Sequence, residues 1–169
     1  MNRFCLVFVF ILFSVPSVSA SNIVESIWLQ QKIIDRFAWD GPVFITSYSL
    51  EALRSLGQLR KEITKSIPNK YDGNKLVEFR ILTFDGLKYI GWQNDKKELR
   101  PETIEIESSR WKILHGLEVG SSASRIIEAL GSPTEKAANK ITYIGETDEI
   151  NFSISEGLIT KIVFNYYVE

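Results

Sequence analysis

Apolar residues change spacing several times along the chain, and each change marks an element. Residues 4–13 form an unbroken apolar run. Over residues 21–37, Ile23, Ile27, Ile34 and Phe37 recur at helical spacing, and Trp28 and Ile33 broaden the stripe. Ser21 or Asn22 can cap this predicted helix, and Asp40-Gly41-Pro42 stops it. Residues 47–56 predict a second, short helix with Leu50, Leu53 and Leu56 on one face and Gly57 as its C-terminal cap. Residues 60–66 predict a further helical turn before Pro68.

The period then drops to two. In Leu76–Phe84, Val77, Phe79 and Ile81 point one way while Glu78 and Arg80 point the other. Asp85-Gly86 is a two-residue hairpin turn, and Leu87–Gln93 returns from it. Residues 103–109 alternate Ile104 and Ile106 against Glu105 and Glu107, a third strand. After a bridge at 110–120, a helix is predicted over 122–130, with Ile126, Ile127 and Leu130 inward, Gly131 as stop and Pro133 beyond. Lys140–Ile144, 149–155 and 158–168 are three strands in series, with Glu156-Gly157 turning the last two. In the last, Leu158, Ile162, Phe164, Tyr166 and Val168 are expected to face the core.

The order repeats. Residues 47–57 and 122–131 are Ser-capped helices ending in Leu-Gly, and each precedes an acidic-Gly hairpin followed by Leu. One unit, a short helix followed by an antiparallel meander, is used twice. The expected fold is therefore α+β: two similar helix-plus-meander units, separate or joined into one continuous antiparallel sheet with helices on one face. Strands follow strands through short turns, which disfavours a parallel sheet. The expected organisation is a signal peptide at 1–20, a first unit at 21–109 that includes the N-terminal helix, and a second at 110–169.

The first twenty residues have the build of an export signal: Arg3, the apolar run, Pro16, and the small-residue ending Val18-Ser19-Ala20. Ten apolar helical residues reach only about 15 Å into a ~30 Å hydrocarbon layer, too short for an anchor. Cleavage after Ala20 is expected, giving a periplasmic or secreted protein with no stable membrane anchor. The single cysteine, Cys5, falls inside this leader.

Composition is that of a folded chain, 44% apolar and 24% charged. The 20 Lys and Arg nearly balance the 21 Asp and Glu, so no electrostatic case for nucleic acid exists. With one histidine and no cysteine after the leader, thiol catalysis and Cys/His zinc sites are excluded. His115 has no neighbouring nucleophile or carboxylate in sequence and is read as structural or surface. Glu105 and Glu107 share a strand face and are read as solvated rather than as a glycosidase pair. Asp72-Gly73-Asn74 and Asp148-Glu149 lack the spacing of a calcium loop. No catalytic residue, metal or cofactor is expected.

Gly120-Ser121-Ser122 before a short helix, Leu130-Gly131-Ser132-Pro133, Tyr143, Phe152 and Gly157-Leu158-Ile159 before a terminal strand together resemble a widespread exported module. It is similar to the unit of the SmpA/OmlA-type outer-membrane assembly lipoproteins and of the beta-lactamase inhibitor protein, whose tandem arrangement it resembles more. The lipid-bearing cysteine of the former and the disulfides of the latter have no counterpart here. The resemblance implies a habit of binding proteins, and no catalytic residue.

The expected function is thus a noncatalytic protein-binding module, an inhibitor of an exported enzyme being one form; an envelope-assembly factor or a small-ligand carrier are the alternatives. Sixteen aromatic side chains follow residue 20, a surplus that an open sheet face can use for binding. Tyr89 and Tyr167 fall opposite Ile90 and Tyr166 and are expected to be exposed. The candidate contact face carries Lys88, Tyr89 or Trp92, with Lys161 and Tyr167 on the equivalent later strand. Tyr89 and Trp92 share a face only if Gly91 introduces a bulge; otherwise Trp92 is core beside Ile90.

Overall fold

The computed structural model describes residues 20–68 and 75–166. Helix α1 (Ala20–Asp40) leads to the five-residue α2 (Leu50–Arg54), then strands β1 (Lys61–Pro68), β2 (Leu76–Phe84), β3 (Leu87–Gln93) and β4 (Leu99–Ile106). Helix α3 (Ala123–Leu130) precedes β5 (Glu135–Ala137), β6 (Lys140–Ile144), β7 (Asp148–Ser155) and β8 (Leu158–Tyr166). All eight strands form one open antiparallel sheet in the order β1-β2-β3-β4-β8-β7-β6-β5. The two meanders meet where β4 pairs with β8, Ile104 opposite Phe164 and Ile106 opposite Ile162.

This corrects the α+β expectation. The molecule is predominantly β, with a single sheet as its frame and few helices, one of them barely a turn. Residues 60–66 are not helix but most of β1. Ile63 and Ile67 are four apart, which mimics a helical stripe, yet β1 pairs with β2 along its whole length. β4 starts at Leu99, earlier than expected, and runs through Pro101. Residues 1–19 of the predicted leader at 1–20, Asp72-Gly73-Asn74, Tyr167 and Val168 lie outside the described residues, and Ala20 opens α1.

One face of the sheet is covered. Leu82, Leu87, Tyr89, Ile104, Phe164, Ile150, Phe152 and Tyr143 form its core with Ile34, Phe37 and Ala38 of α1, Leu53 of α2, and Ile126 and Leu130 of α3. Phe37 stacks on Phe164 with centroids 6.4 Å apart, and the buried Tyr166 hydroxyl donates to the Ala38 carbonyl at 2.7 Å. Asp35 on α1 accepts from the backbone N–H groups of Glu146 and Thr147 at 3.1 and 3.2 Å. Gly145 makes that clamp possible, because a Cβ there would sit 2.0 Å from the Asp35 carboxylate. Trp111 donates to the Asp85 carbonyl at 2.8 Å and packs on Phe84 and Phe44, pinning the β2–β3 turn.

In β8 the expected phase fails at its start. Leu158 is exposed and Ile159 is buried. The register shifts by one residue at Thr160, opposite Ser153-Ile154, so Ile159 and Ile162 both turn inward.

Candidate functional site

The other face of the sheet carries no residue of the hydrophobic core, and its character changes across the molecule. From β4 to β6 it is mainly polar: Thr103, Glu105, Asn165, Lys161, Glu149 and Asn151 occupy it, with Val163 and Ile144 as apolar members. Over β1–β3 it is apolar. Ile63 pairs with Ile81, Ile67 with Val77, Phe79 with Trp92, and Ile81 with Ile90, so seven large side chains share one area that no other element covers among the described residues. Ile67 is exposed, and the other six are partly exposed.

The cause is a phase switch inside single strands. In β2 the apolar positions are Val77, Phe79 and Ile81, then Leu82 and Phe84. In β3 they are Leu87 and Tyr89, then Ile90 and Trp92. Because side chains alternate faces, each switch moves the apolar set from one face to the other. Near the β2–β3 turn it faces the helices, and further along it faces solvent. The helix side beyond the switch is correspondingly ionic. Glu62 accepts from Arg54 at 2.7 and 2.9 Å and from Arg80 at 2.7 Å, and Arg80 also pairs with Glu78. The Arg54 bond leads in holding the Glu62 carboxyl below its ordinary pKa.

The expected contact residues divide accordingly. Tyr89 is fully buried and its hydroxyl donates to the Leu99 carbonyl, so the expectation of an exposed Tyr89 is corrected. Burial pushes its pKa well up. Trp92 lies on the open face, and its indole N–H is buried with no acceptor among the described residues. An irregularity does occur at Gly91, but the extra residue is Glu102 in β4, so the phase of β3 is unbroken and Tyr89 and Trp92 stay on opposite faces. Glycine is required at 91 by close approach: a Cβ would lie 2.4 Å from the Arg100 carbonyl oxygen.

Lys88 and Lys161 are on the open face and grip one carboxylate. Glu105 accepts from Lys88 at 2.7 Å and from Lys161 at 2.5 Å, and Lys161 also reaches Glu107 at 2.9 Å. Burial acts to raise the Glu105 pKa, but the bonds from Lys161 and Lys88 outweigh it and leave the carboxyl below its usual range. The bonds to Glu105 and Glu107 raise the Lys161 pKa. Glu105 is therefore held ionised, the opposite of what a general acid needs. A half-open hollow of about 170 Å³ adjoins this cluster at the β2–β3 turn, lined by Thr83, Phe84, Lys88, Glu105 and Glu107 among others. His115 is exposed, has a left-handed backbone (φ 62°), and stacks on Phe37 at 5.9 Å.

Sequence reasoning passed over Ile63 and Ile67, in and beside a predicted helical turn, and over Phe79, Ile81 and Ile90 because an apolar strand face is read as core by default. The phase switches at Ile81-Leu82 and Tyr89-Ile90 were the available signal.

No family model matches this chain, and no curated protein matches it. The chain is similar to the uncharacterized protein yfeY from Escherichia coli, whose crystal structure aligns with a TM-score of 0.40 at 13% identity, over 72% of this chain and 90% of that one.

Proposed function

We propose that this protein is a noncatalytic, exported protein-binding module whose docking surface is the open face of β1–β3. The observation that carries the reading is the uncovered set of Ile63, Ile67, Val77, Phe79, Ile81, Ile90 and Trp92 on one side of the sheet. Contiguous apolar area of this kind on a folded domain is typical of interaction sites. Phe and Trp are among the residues that dominate binding energy at such places. The ionised Glu105 cluster beside it would act as a polar rim that sets orientation. Inhibition of a periplasmic or secreted enzyme is the form of binding that the resemblance to inhibitor modules suggests.

Affinity capture with purified protein from a cell-envelope extract, followed by mass spectrometry, tests the reading. A specific set of proteins should be retained by the native chain and lost with Phe79→Asp, once circular dichroism has verified that the variant is folded. Retention by both alike would refute this face as the docking surface.

A further inference from the structure

We infer that the occupant of the open β1–β3 face is a second copy of this chain, packed sheet to sheet about a twofold axis that runs parallel to the strands between β2 and β3. This rests on the reading of that face as a docking surface and names its partner.

The argument is charge complementarity at the two rims. Three face rows cross the area: Lys61-Thr83-Lys88-Glu105, Ile63-Ile81-Ile90-Thr103, and Lys65-Phe79-Trp92-Arg100. At the β1 rim, Lys61 and Lys65 are exposed and carry no ion pair among the described residues. At the β4 rim, Glu102 is the extra residue of the bulge. Pro101 and Ile104 on either side are buried, so Glu102 and Thr103 between them share the open face. Glu102 too has no ion pair among the described residues. A twofold axis in the interface plane, parallel to the strands, exchanges the β1 rim with the β4 rim and keeps each row over itself. Lys61 of one copy then falls over Glu105 of the other, and Lys65 is the rim lysine nearest Glu102, which lies between the Thr103 and Arg100 rows. Phe79 falls over Trp92 and Ile81 over Ile90. Lys65 falls over Arg100, whose charge Glu98 already offsets at 2.9 Å. The twofold axis perpendicular to the strands would set β1 on β1 and leave Glu102 unused.

Strand spacing and rise give the apolar rows a footprint of about 300 Å². With the charged rims the contact reaches roughly 500 Å² per copy, short of the ~800 Å² of a standard interface. A contact this small belongs with weak, transient associations, for which a micromolar dissociation constant is the value to test.

Sedimentation velocity of the full chain from about 1 to about 200 µM covers that range. The native protein should pass from one to two copies, whereas Ile81→Asp should remain single at every concentration. Lys65→Glu and Glu102→Lys should each weaken self-association about tenfold, while an equimolar mixture of the two variants should pair at native strength, since the opposite rims then match. A native chain that stays single throughout, or a mixture no tighter than its components, would overturn the inference. A photoreactive residue placed at Ile81 in living cells separates this from the broader reading. A cross-link between two copies supports the inference. Cross-links only to another protein overturn it yet keep the docking surface, and no cross-link at all overturns both.

Discussion

The seam where β4 meets β8 and the three-stranded end beyond it are built from similar residues and put to opposite uses. At the seam, Ile104, Ile106, Ile162 and Phe164 lie under the helices, and the far side is closed by Glu105 between its two lysines. At the β1–β3 end the apolar set faces away from the helices, and the ion pairs of Glu62 lie on the helix side. A sheet can thus be amphipathic twice, with opposite sense, when its strands outrun the helices that cover them. The inner face of the overhang is ionic, with Arg54 of α2 reaching across it to Glu62. Its outer face is apolar and bears no helix among the described residues.

The contrast can be broken most directly by truncating one aromatic in each register. Tyr89→Ala removes a fully buried ring and its bond to Leu99, and should cost about 3–5 kcal/mol in urea unfolding. Phe79→Ser, on the open face, should cost no more than about 1 kcal/mol. Equal losses would mean that both faces are core.

A second measurement sharpens the covered side. Burial raises the pKa of Tyr143 to about 12 and those of Tyr89 and Tyr166 well above the ordinary value. A raised folded-state pKa contributes stability that is complete below the unfolded value near 10 and fades as pH rises through the folded value. Stability should therefore fall from pH 10 upward, and phenolate absorbance should appear together with loss of the fold. Free titration of all the tyrosines near pH 10 in folded protein would contradict their burial.

The smallest effect belongs to the rim. Glu105 has a lowered pKa, so its contribution is present above the ordinary carboxylate value and is lost as pH falls through the lower one. Glu105→Gln should cost about 0–1 kcal/mol near neutrality, because its partners are substantially exposed. The same variant should flatten the acid limb of a stability–pH curve.

Much of the sheet was legible because its strands obey period two between strong punctuation. Asp85-Gly86 and Glu156-Gly157 stand where the hairpins turn, and Ser122 and Gly131 bound α3. What escaped notice was local sequence with mixed signals. β1 offers two isoleucines four apart and a proline, which fit a helix end as well as an edge strand, and only its pairing with β2 decides. β5 is three polar or small residues with no period to read. The site was hidden by a sound rule applied one step too far. Alternation correctly put Tyr89 opposite Ile90, but which of the two faces water depends on where the helices stop, and that is a tertiary fact.

The placement of β8 has a consequence for how the molecule comes into being. It is the last strand in sequence and stands in the middle of the sheet, its Asn165 beside Thr103, 62 residues earlier. A chain that emerges N-terminus first, from a ribosome or through a membrane channel, has β4 in hand long before β8 exists. Until residues 158–166 arrive, β4 presents a bare backbone edge with Ile104 and Ile106 beside it. Closing so distant a pair is slow, and it makes assembly of the whole sheet wait on its final strand.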